Sequence, residues 1–164
     1  MAKPTKYAPH LCTIFMLIAL VGIILGIVFS QPLITIILLL PTAFYQAYRT
    51  EGRSTKASSR ILVVVLLAQI GLILFNININ VAEFLGRDRQ LIAGYWVPLG
   101  DLQIVGSTLV AVLAIILYTR TRGVFTRWLA AIIFVTSFAI IYLTDPVNFQ
   151  ELLSYGVREV LRRY

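Results

Sequence analysis

The sequence predicts an all-α integral membrane protein: a bundle of about five transmembrane helices, with an interfacial segment and an amphipathic C-terminal helix. Three observations predict this class. Of the 164 residues, 59% are hydrophobic, only 13% are charged, and the charged residues stand between long apolar segments. Since about a quarter of the residues in an ordinary soluble domain are charged, this chain has too few charges to cover a water-exposed surface.

The first apolar stretch predicts a helical hairpin. Residues 11–48 carry no charge and would measure about 57 Å as a single helix, whereas a bilayer core is about 30 Å thick. We therefore expect two spans joined by a turn at Ser30, Gln31 and Pro32, because proline suits the first turn of a helix. Residues 1–10 form a basic N-terminal tail. The alternative, a signal peptide, has a shorter apolar core than this first span.

Polar and charged segments divide the rest of the chain. We expect a basic cytoplasmic loop at 49–60, a third span within 61–80, an interfacial loop or helical turn at 81–100, the fourth and fifth spans within 101–144, and the amphipathic helix at 145–164. The fifth span is expected over only 17 uncharged residues, near the lower limit for crossing. In the last segment, apolar residues recur every three or four positions, which is typical of a helix lying on a membrane or against a partner.

Lysine and arginine residues divide unequally between the two predicted faces. With five spans, nine of the 14 lie on the face that holds the N-terminus and five on the other. The positive-inside rule therefore predicts a cytoplasmic N-terminus and an external C-terminus. If the fifth span does not cross, the tail returns inside and the division becomes 12 to 2. The net charge of +7 predicts contact of the basic loops with anionic lipids, and no nucleic-acid motif is present.

Two features within the spans predict contacts between helices. Gly22, Gly26 and Ser30 repeat at four-residue spacing, and small residues at this spacing let another helix approach closely. The partner is either another span of the chain or another protein. Gln69 lies midway along the third span, where an amide needs a hydrogen-bond partner, although it could also line a path. Asp101 is expected to cap the fourth span.

Several kinds of chemistry are excluded by the residues that the chain lacks. The predicted span interiors contain no Asp, Glu, Lys, Arg or His, the residues that mark proton relays and ion pumps. Cys12 is the only cysteine and His10 the only histidine, so no cysteine-based or multi-histidine metal site can form within the chain. We expect no catalytic residues. The cofactor is unknown, because a quinone, chlorophyll or carotenoid held by packing leaves no readable motif.

These exclusions predict a non-catalytic membrane protein that acts by contact, as an accessory, scaffolding or assembly subunit of a larger complex. We expect it in a bacterial-type inner membrane, or an internal membrane derived from one, with other subunits or its own copies as partners. Two alternatives stay open. A small oligomeric transporter or channel not coupled to protons would use Gln69 and residues 76–80, and a membrane enzyme acting on lipid would use Asp101 and Glu83.

Overall fold

The computed structural model describes residues 7–50, 52–75, 77, 89–92, 95–98, 102–121, 123–146 and 149–150. This part of the chain forms five helices and a two-stranded sheet, in the order α1 (Ala8–Phe29), α2 (Pro32–Arg49), α3 (Arg53–Leu74), β1 (Arg89–Ile92), β2 (Tyr95–Pro98), α4 (Leu102–Arg120) and α5 (Val124–Thr144). Four of these helices, α1, α3, α4 and α5, are long and apolar enough to cross a membrane, and α2 is not among them. The helical class predicted from composition is confirmed.

The five helices pack as a closed bundle with α2 and α5 at its centre. Each helix contacts the next one in the chain order, and α5 returns to contact α1. In addition, α2 and α5 contact each other across the bundle. Half of the apolar window of α5 is buried, against 22% of the window of α1. The helix α1 is therefore the most peripheral of the four candidate spans.

Polar side chains lie inside the bundle and apolar side chains cover its outside. Thr35, Thr42 and Thr136 have no exposed surface, whereas Val28 and Val64 are 70% and 63% exposed. A soluble bundle shows the reverse pattern, with its charged and polar residues outside. The observed pattern is typical of helices that are surrounded by an apolar solvent and meet through small and polar residues.

The turn between α1 and α2 lies at the predicted residues. Ser30 adopts a left-handed conformation with φ of 51°, and its backbone N–H donates to the carbonyl of Ile27. Gln31 is extended, and its N–H donates to the carbonyl of Gly26, which closes the end of α1. Pro32 then begins α2, where its missing N–H costs nothing.

The basic loop predicted at 49–60 is mostly helix, so that prediction was wrong. The helix α2 continues to Arg49 and α3 begins at Arg53, which leaves only residues 50–52 between them. Serine hydroxyls in the first turns of α3 donate to backbone carbonyls: Ser58 to Ser54, and Ser59 to Lys56. Polar and charged residues thus continue the helix beyond the apolar segment. The predicted boundary of the third span was wrong because it was placed where the charged residues begin.

The same error shortened the predicted fifth span. The helix α5 begins at Val124 and has 21 residues, because Arg127 lies within its first turn instead of in a loop. Thr126 donates to the carbonyl of Gly123 and stabilises this first turn. The helix therefore has an ordinary length for a membrane span.

A β-hairpin occupies part of the segment expected to be an interfacial loop or helical turn. The strands β1 and β2 are antiparallel, with Leu91 opposite Trp96 and Ile92 opposite Tyr95. Because β-branched and aromatic residues favour strands, the composition of these residues fits the hairpin. The expectation of a loop or helical turn was therefore wrong for residues 89–92 and 95–98.

The C-terminal helix predicted at 145–164 is described only at its start. Pro146, Phe149 and Gln150 are helical, and the N–H of Phe149 donates to the carbonyl of Asp145. The Phe149 ring makes an edge contact with Tyr142 on α5, with ring centroids 5.5 Å apart. Residues 151–164, and with them most of the predicted amphipathic face, lie outside the described residues.

Candidate functional site: a polar seam and a basic end

The small residues singled out in α1 lie against α2. A Cβ atom at Gly22 would stand 2.8 Å from Leu38 Cβ, and one at Gly26 would overlap Thr35 Oγ1. The backbones of the two helices therefore approach closely at both glycines. The third residue of the predicted stripe, Ser30, is exposed at the turn beyond the end of the helix.

Two threonines of α2 form hydrogen bonds across this contact. Thr35 Oγ1 donates to the carbonyl of Gly22 at 3.1 Å, and Thr42 Oγ1 donates to the carbonyl of Phe15 at 3.0 Å. Both acceptors belong to helical residues of α1, so the hydroxyls reach carbonyls that are already part of its backbone ladder. Such bonds require the close approach that glycine allows.

Gln69 joins α3 to α4. Its Nε2 donates to Ser107 Oγ at 2.8 Å and to the carbonyl of Gln103 at 3.1 Å. The amide fits because residue 106 is glycine: a Cβ there would stand 2.8 Å from Gln69 Nε2. Gln69 Oε1 has no hydrogen-bond partner in the described part of the chain. The side chain is thus a buried bridge between two helices.

The remaining predicted polar positions cannot be placed with these contacts. Asp101, Glu83 and the asparagines at 76, 78 and 80 lie outside the described residues. Within the described ranges, no group of three or more His, Cys, Asp or Glu side chains could hold a metal ion.

The buried face of α2 becomes more polar toward its C-terminus. Thr35, Thr42, Gln46 and Arg49 are all buried and recur at spacings of seven, four and three residues, which places them on one side of the helix. Sequence reasoning missed Gln46 and Arg49, because it assigned Arg49 to a loop. The signal was present in the spacing, since these four polar residues follow one stripe of the helix.

Gln46 and Arg49 differ from the threonines because each has at least one buried polar atom without a partner among the described residues. Gln46 has no exposed surface, and neither its Nε2 nor its Oε1 has a hydrogen-bond partner among the residues described. Arg49 is 7% exposed, and its Nε likewise lacks a partner there. Buried polar groups in proteins are nearly always paired, and an unpaired one costs about 1–3 kcal/mol, more when it is charged.

Arg49 lies among two other polar side chains. Its Nη1 donates to the Tyr45 hydroxyl at 3.3 Å, and its guanidinium carbon lies 5.9 Å from the centroid of the Tyr45 ring. The buried thiol of Cys12, near the start of α1, lies close to both side chains. The Phe15 ring, one helical turn further along α1, packs on Tyr45 with centroids 4.9 Å apart. The guanidinium is therefore held between α1 and α2.

Positive charge collects at one end of the bundle, which we call the basic end. The contacts of Thr42 with Phe15, of Arg120 with Ser54 and of Gly26 with Leu143 place the starts of α1, α3 and α5 and the ends of α2 and α4 together. The described cations of this end are Arg49, Arg53, Lys56, Arg60, Arg120 and Arg127. No acidic side chain lies at this end in the described ranges.

The described buried groups of the basic end can form hydrogen bonds. They comprise an amide, a guanidinium and hydroxyl and thiol groups, and the buried residues described there include no carboxylate or imidazole. Arg127 Nε donates to the carbonyl of Thr121 at 2.7 Å, so one other arginine of this end caps a helix terminus. Thr121 Oγ1 is buried without a partner in the described part of the chain.

No family model, no curated protein and no solved structure matches this chain.

Proposed function

We propose that this chain is a non-catalytic multi-pass membrane protein that acts by helix and surface contacts, as an accessory, scaffolding or assembly subunit of a larger membrane complex. In this proposal α2 also crosses the membrane and brings the number of spans to five. The N-terminus is then cytoplasmic, together with the basic end, and the membrane is a bacterial-type inner membrane or one derived from it. The chain is not an enzyme.

The outer face of α1 is the observation that carries the proposal. Ile14, Leu17, Val21, Ile24 and Val28 are all 49–70% exposed, and they recur at alternating spacings of three and four residues. These spacings form a continuous stripe along one side of the helix, of the kind that packs against a second helix. The main helix contacts of α1 are with α2 and α5, and in the described part of the chain this stripe is exposed, so we propose it as the surface for a partner.

The polar groups within the bundle support contact over transport. The hydroxyls of Thr35 and Thr42 and the amide nitrogen of Gln69 each donate to a neighbouring helix. Groups that line a transport path must be available to the solute. These three are instead engaged in holding helices together, and we propose that their role is structural.

The proposal is tested by extraction in mild detergent followed by a native gel. We expect the native protein to migrate with at least one other membrane protein, or with further copies of itself. Leu17→Trp and Ile24→Trp should reduce this co-migration, because a bulky ring at a helix interface prevents close packing. The matched control is Val64→Trp on α3, which is equally exposed and should leave the complex intact.

Two outcomes would contradict the proposal. Migration of the native protein as a lone monomer would remove the partner. Solute flux through liposomes containing only this protein, abolished by Gln69→Leu, would establish the transporter alternative instead.

A further inference from the structure

We propose that Arg49 and Gln46 form a specific binding site for a phosphate oxyanion at the basic end of the bundle. The ligand chemistry is that of an anionic lipid headgroup or of free phosphate. This inference goes beyond the proposed function and rests on it only for the level of the basic end in the membrane. It differs from a general attraction of the basic loops to anionic lipids because it assigns one buried arginine.

The first argument is the burial of an arginine without an anionic partner. Arg49 is 7% exposed and lies against the Tyr45 hydroxyl, and no carboxylate contacts it among the described residues. A buried charge is retained in proteins when an opposite charge and hydrogen bonds compensate it. An external anion would supply the opposite charge.

The position of Arg49 at the end of α2 does not by itself explain its burial. A cation at a helix C-terminus interacts favourably with the helix dipole, and it does so from the surface. Arg53, Lys56, Arg60 and Arg120 of the same end are exposed. Arg49 alone among the described cations of the basic end is buried, and its fixed planar group binds phosphate through two hydrogen bonds.

The second argument is the unsatisfied amide of Gln46. This residue precedes Arg49 by three positions on the same face of α2, so the two side chains are neighbours. Both polar atoms of Gln46 are buried without partners among the residues described. An amide N–H beside a guanidinium is a suitable second donor for an oxyanion. Because Gln46 has no exposed surface, the anion meets Arg49 first and Gln46 reaches it by rotation of its side chain.

The third argument is the electrostatic field of this end. Five further described cations lie at the basic end with Arg49, and no described acidic side chain opposes them there. Like charges on low-dielectric walls raise the local concentration of anions. In the proposed topology this end also lies at the level of the cytoplasmic headgroups, where anionic lipids are found.

The test uses the full chain, purified in mild detergent and reconstituted in phosphatidylcholine nanodiscs with or without phosphatidylglycerol. Bound phosphatidylglycerol is measured by native mass spectrometry after release from the nanodisc. A second arm titrates inorganic phosphate into the protein in detergent and follows its thermal unfolding. Binding in the first arm alone identifies a lipid headgroup as the source, and binding in the second arm identifies free phosphate. Either result supports the site.

Three variants make the test specific. Arg49→Gln should weaken binding about tenfold or more, since hydrogen bonds to a charged group are lost. Arg53→Gln removes the same charge from an exposed position and should weaken binding less than about twofold. Gln46→Leu should weaken binding severalfold while it raises the unfolding temperature of the unbound protein, because it removes an unsatisfied buried amide.

The proposal is overturned if the unmodified chain binds neither probe. It is also overturned if Arg53→Gln weakens binding as much as Arg49→Gln, because the attraction is then diffuse. If Arg49→Gln does not fold, Arg49→Lys keeps the charge and loses the planar fork. Binding by Arg49→Lys that equals that of the unmodified chain would then contradict a site built on the guanidinium.

Discussion

Substitution of Gly26 by alanine tests the closest contact in the bundle. A Cβ atom at this position would overlap Thr35 Oγ1 on α2 and would stand 3.1 Å from Leu143 Cδ1 on α5. Thr35 has no exposed surface, and its hydroxyl is bonded to the carbonyl of Gly22. The added methyl group therefore meets a side chain that cannot turn away without breaking its hydrogen bond.

The expected effect follows from three contributions. Overpacking of a filled contact costs about 1–3 kcal/mol. Loss of the Thr35 hydrogen bond costs about 0.5–1.5 kcal/mol. Alanine in place of glycine within a helix returns about 0.5–1 kcal/mol. The balance is a loss of about 2 kcal/mol for Gly26→Ala.

The chain offers a matched control in α3. In the described part of the chain, no atom outside the adjacent backbone of α3 lies within 4 Å of a Cβ built at Gly71. Gly71→Ala should therefore show only the gain in helix propensity and stabilise the protein slightly. The free energy of unfolding of both variants can be measured by titrating sodium dodecyl sulfate into mild-detergent micelles and following helix content by circular dichroism.

A second substitution separates the overlap from other effects. Thr35→Ala removes the Oγ1 atom that the new methyl group would meet. In the double variant, the loss caused by Gly26→Ala should fall by about 1 kcal/mol or more, because interacting sites are not additive. The reasoning is refuted if Gly26→Ala is as stable as Gly71→Ala, or if Thr35→Ala and Gly26→Ala combine additively.

Three further expectations concern other parts of the molecule. Gln69→Leu should change the free energy of unfolding by less than about 1 kcal/mol, because interhelical bonds of this kind are worth about 0.6 kcal/mol and Oε1 is unpaired among the described residues. Gln69→Ala should lower it by about 2 kcal/mol or more, because it leaves a void. A detergent titration in which Gln69→Leu is less stable than Gln69→Ala would contradict this expectation. Cys12 is 4% exposed, whereas His10 is exposed. In the folded protein, Cys12 should therefore react with a maleimide much more slowly than the thiol of a His10→Cys, Cys12→Ala variant. Equal rates would contradict the burial of Cys12. A reporter fused after Tyr164 should read non-cytoplasmic, and a cytoplasmic signal would refute the count of five spans.

The sequence allowed the helical class and the turn at Ser30 to be predicted, and it did not allow the ends of the helices to be placed. Apolar length predicts where a helix can lie within lipid, but a helix continues as long as its backbone bonds and side chains permit. Arg53 and Arg127 both lie within helices, although the predicted spans begin only in the apolar segments that follow them. Charged side chains are long enough to extend toward water from a helical position, so the boundary of the apolar segment is not the boundary of the helix.

The hairpin of β1 and β2 was missed for a different reason. Its strands are only four residues each, and a short apolar run does not distinguish strand from helix by period. Tyr95 and Trp96 also fit an interfacial loop, because tyrosine and tryptophan are common at the level of the lipid headgroups. Their preference for strands is equally a property of aromatic residues, and only the pairing of Leu91 with Trp96 decides between the two.

The candidate site was predictable only in its simplest part. Close packing at Gly22 and Gly26 follows from residue size, but the identity of α2 as the neighbour of these glycines depends on the tertiary arrangement. Gln46 lies in a polar region of α2 that sequence alone cannot assign to the inside or the outside of the bundle. Its burial is set by the contacts of α2 with α1, α3 and α5.

The central position of α2 is the reverse of what hydrophobicity alone would give. It is not among the four helices apolar enough to be candidate spans, yet it contacts three of the other four helices. In an apolar solvent, a helix with polar groups along one face gains from neighbours on that face, because its hydroxyls and amides find partners only there. Thr35 and Thr42 find them on α1. The Gln46 amide and the Arg49 Nε, one and two turns beyond Thr42 on the same face, have no partner among the described residues, and these are the groups that the proposed oxyanion would satisfy.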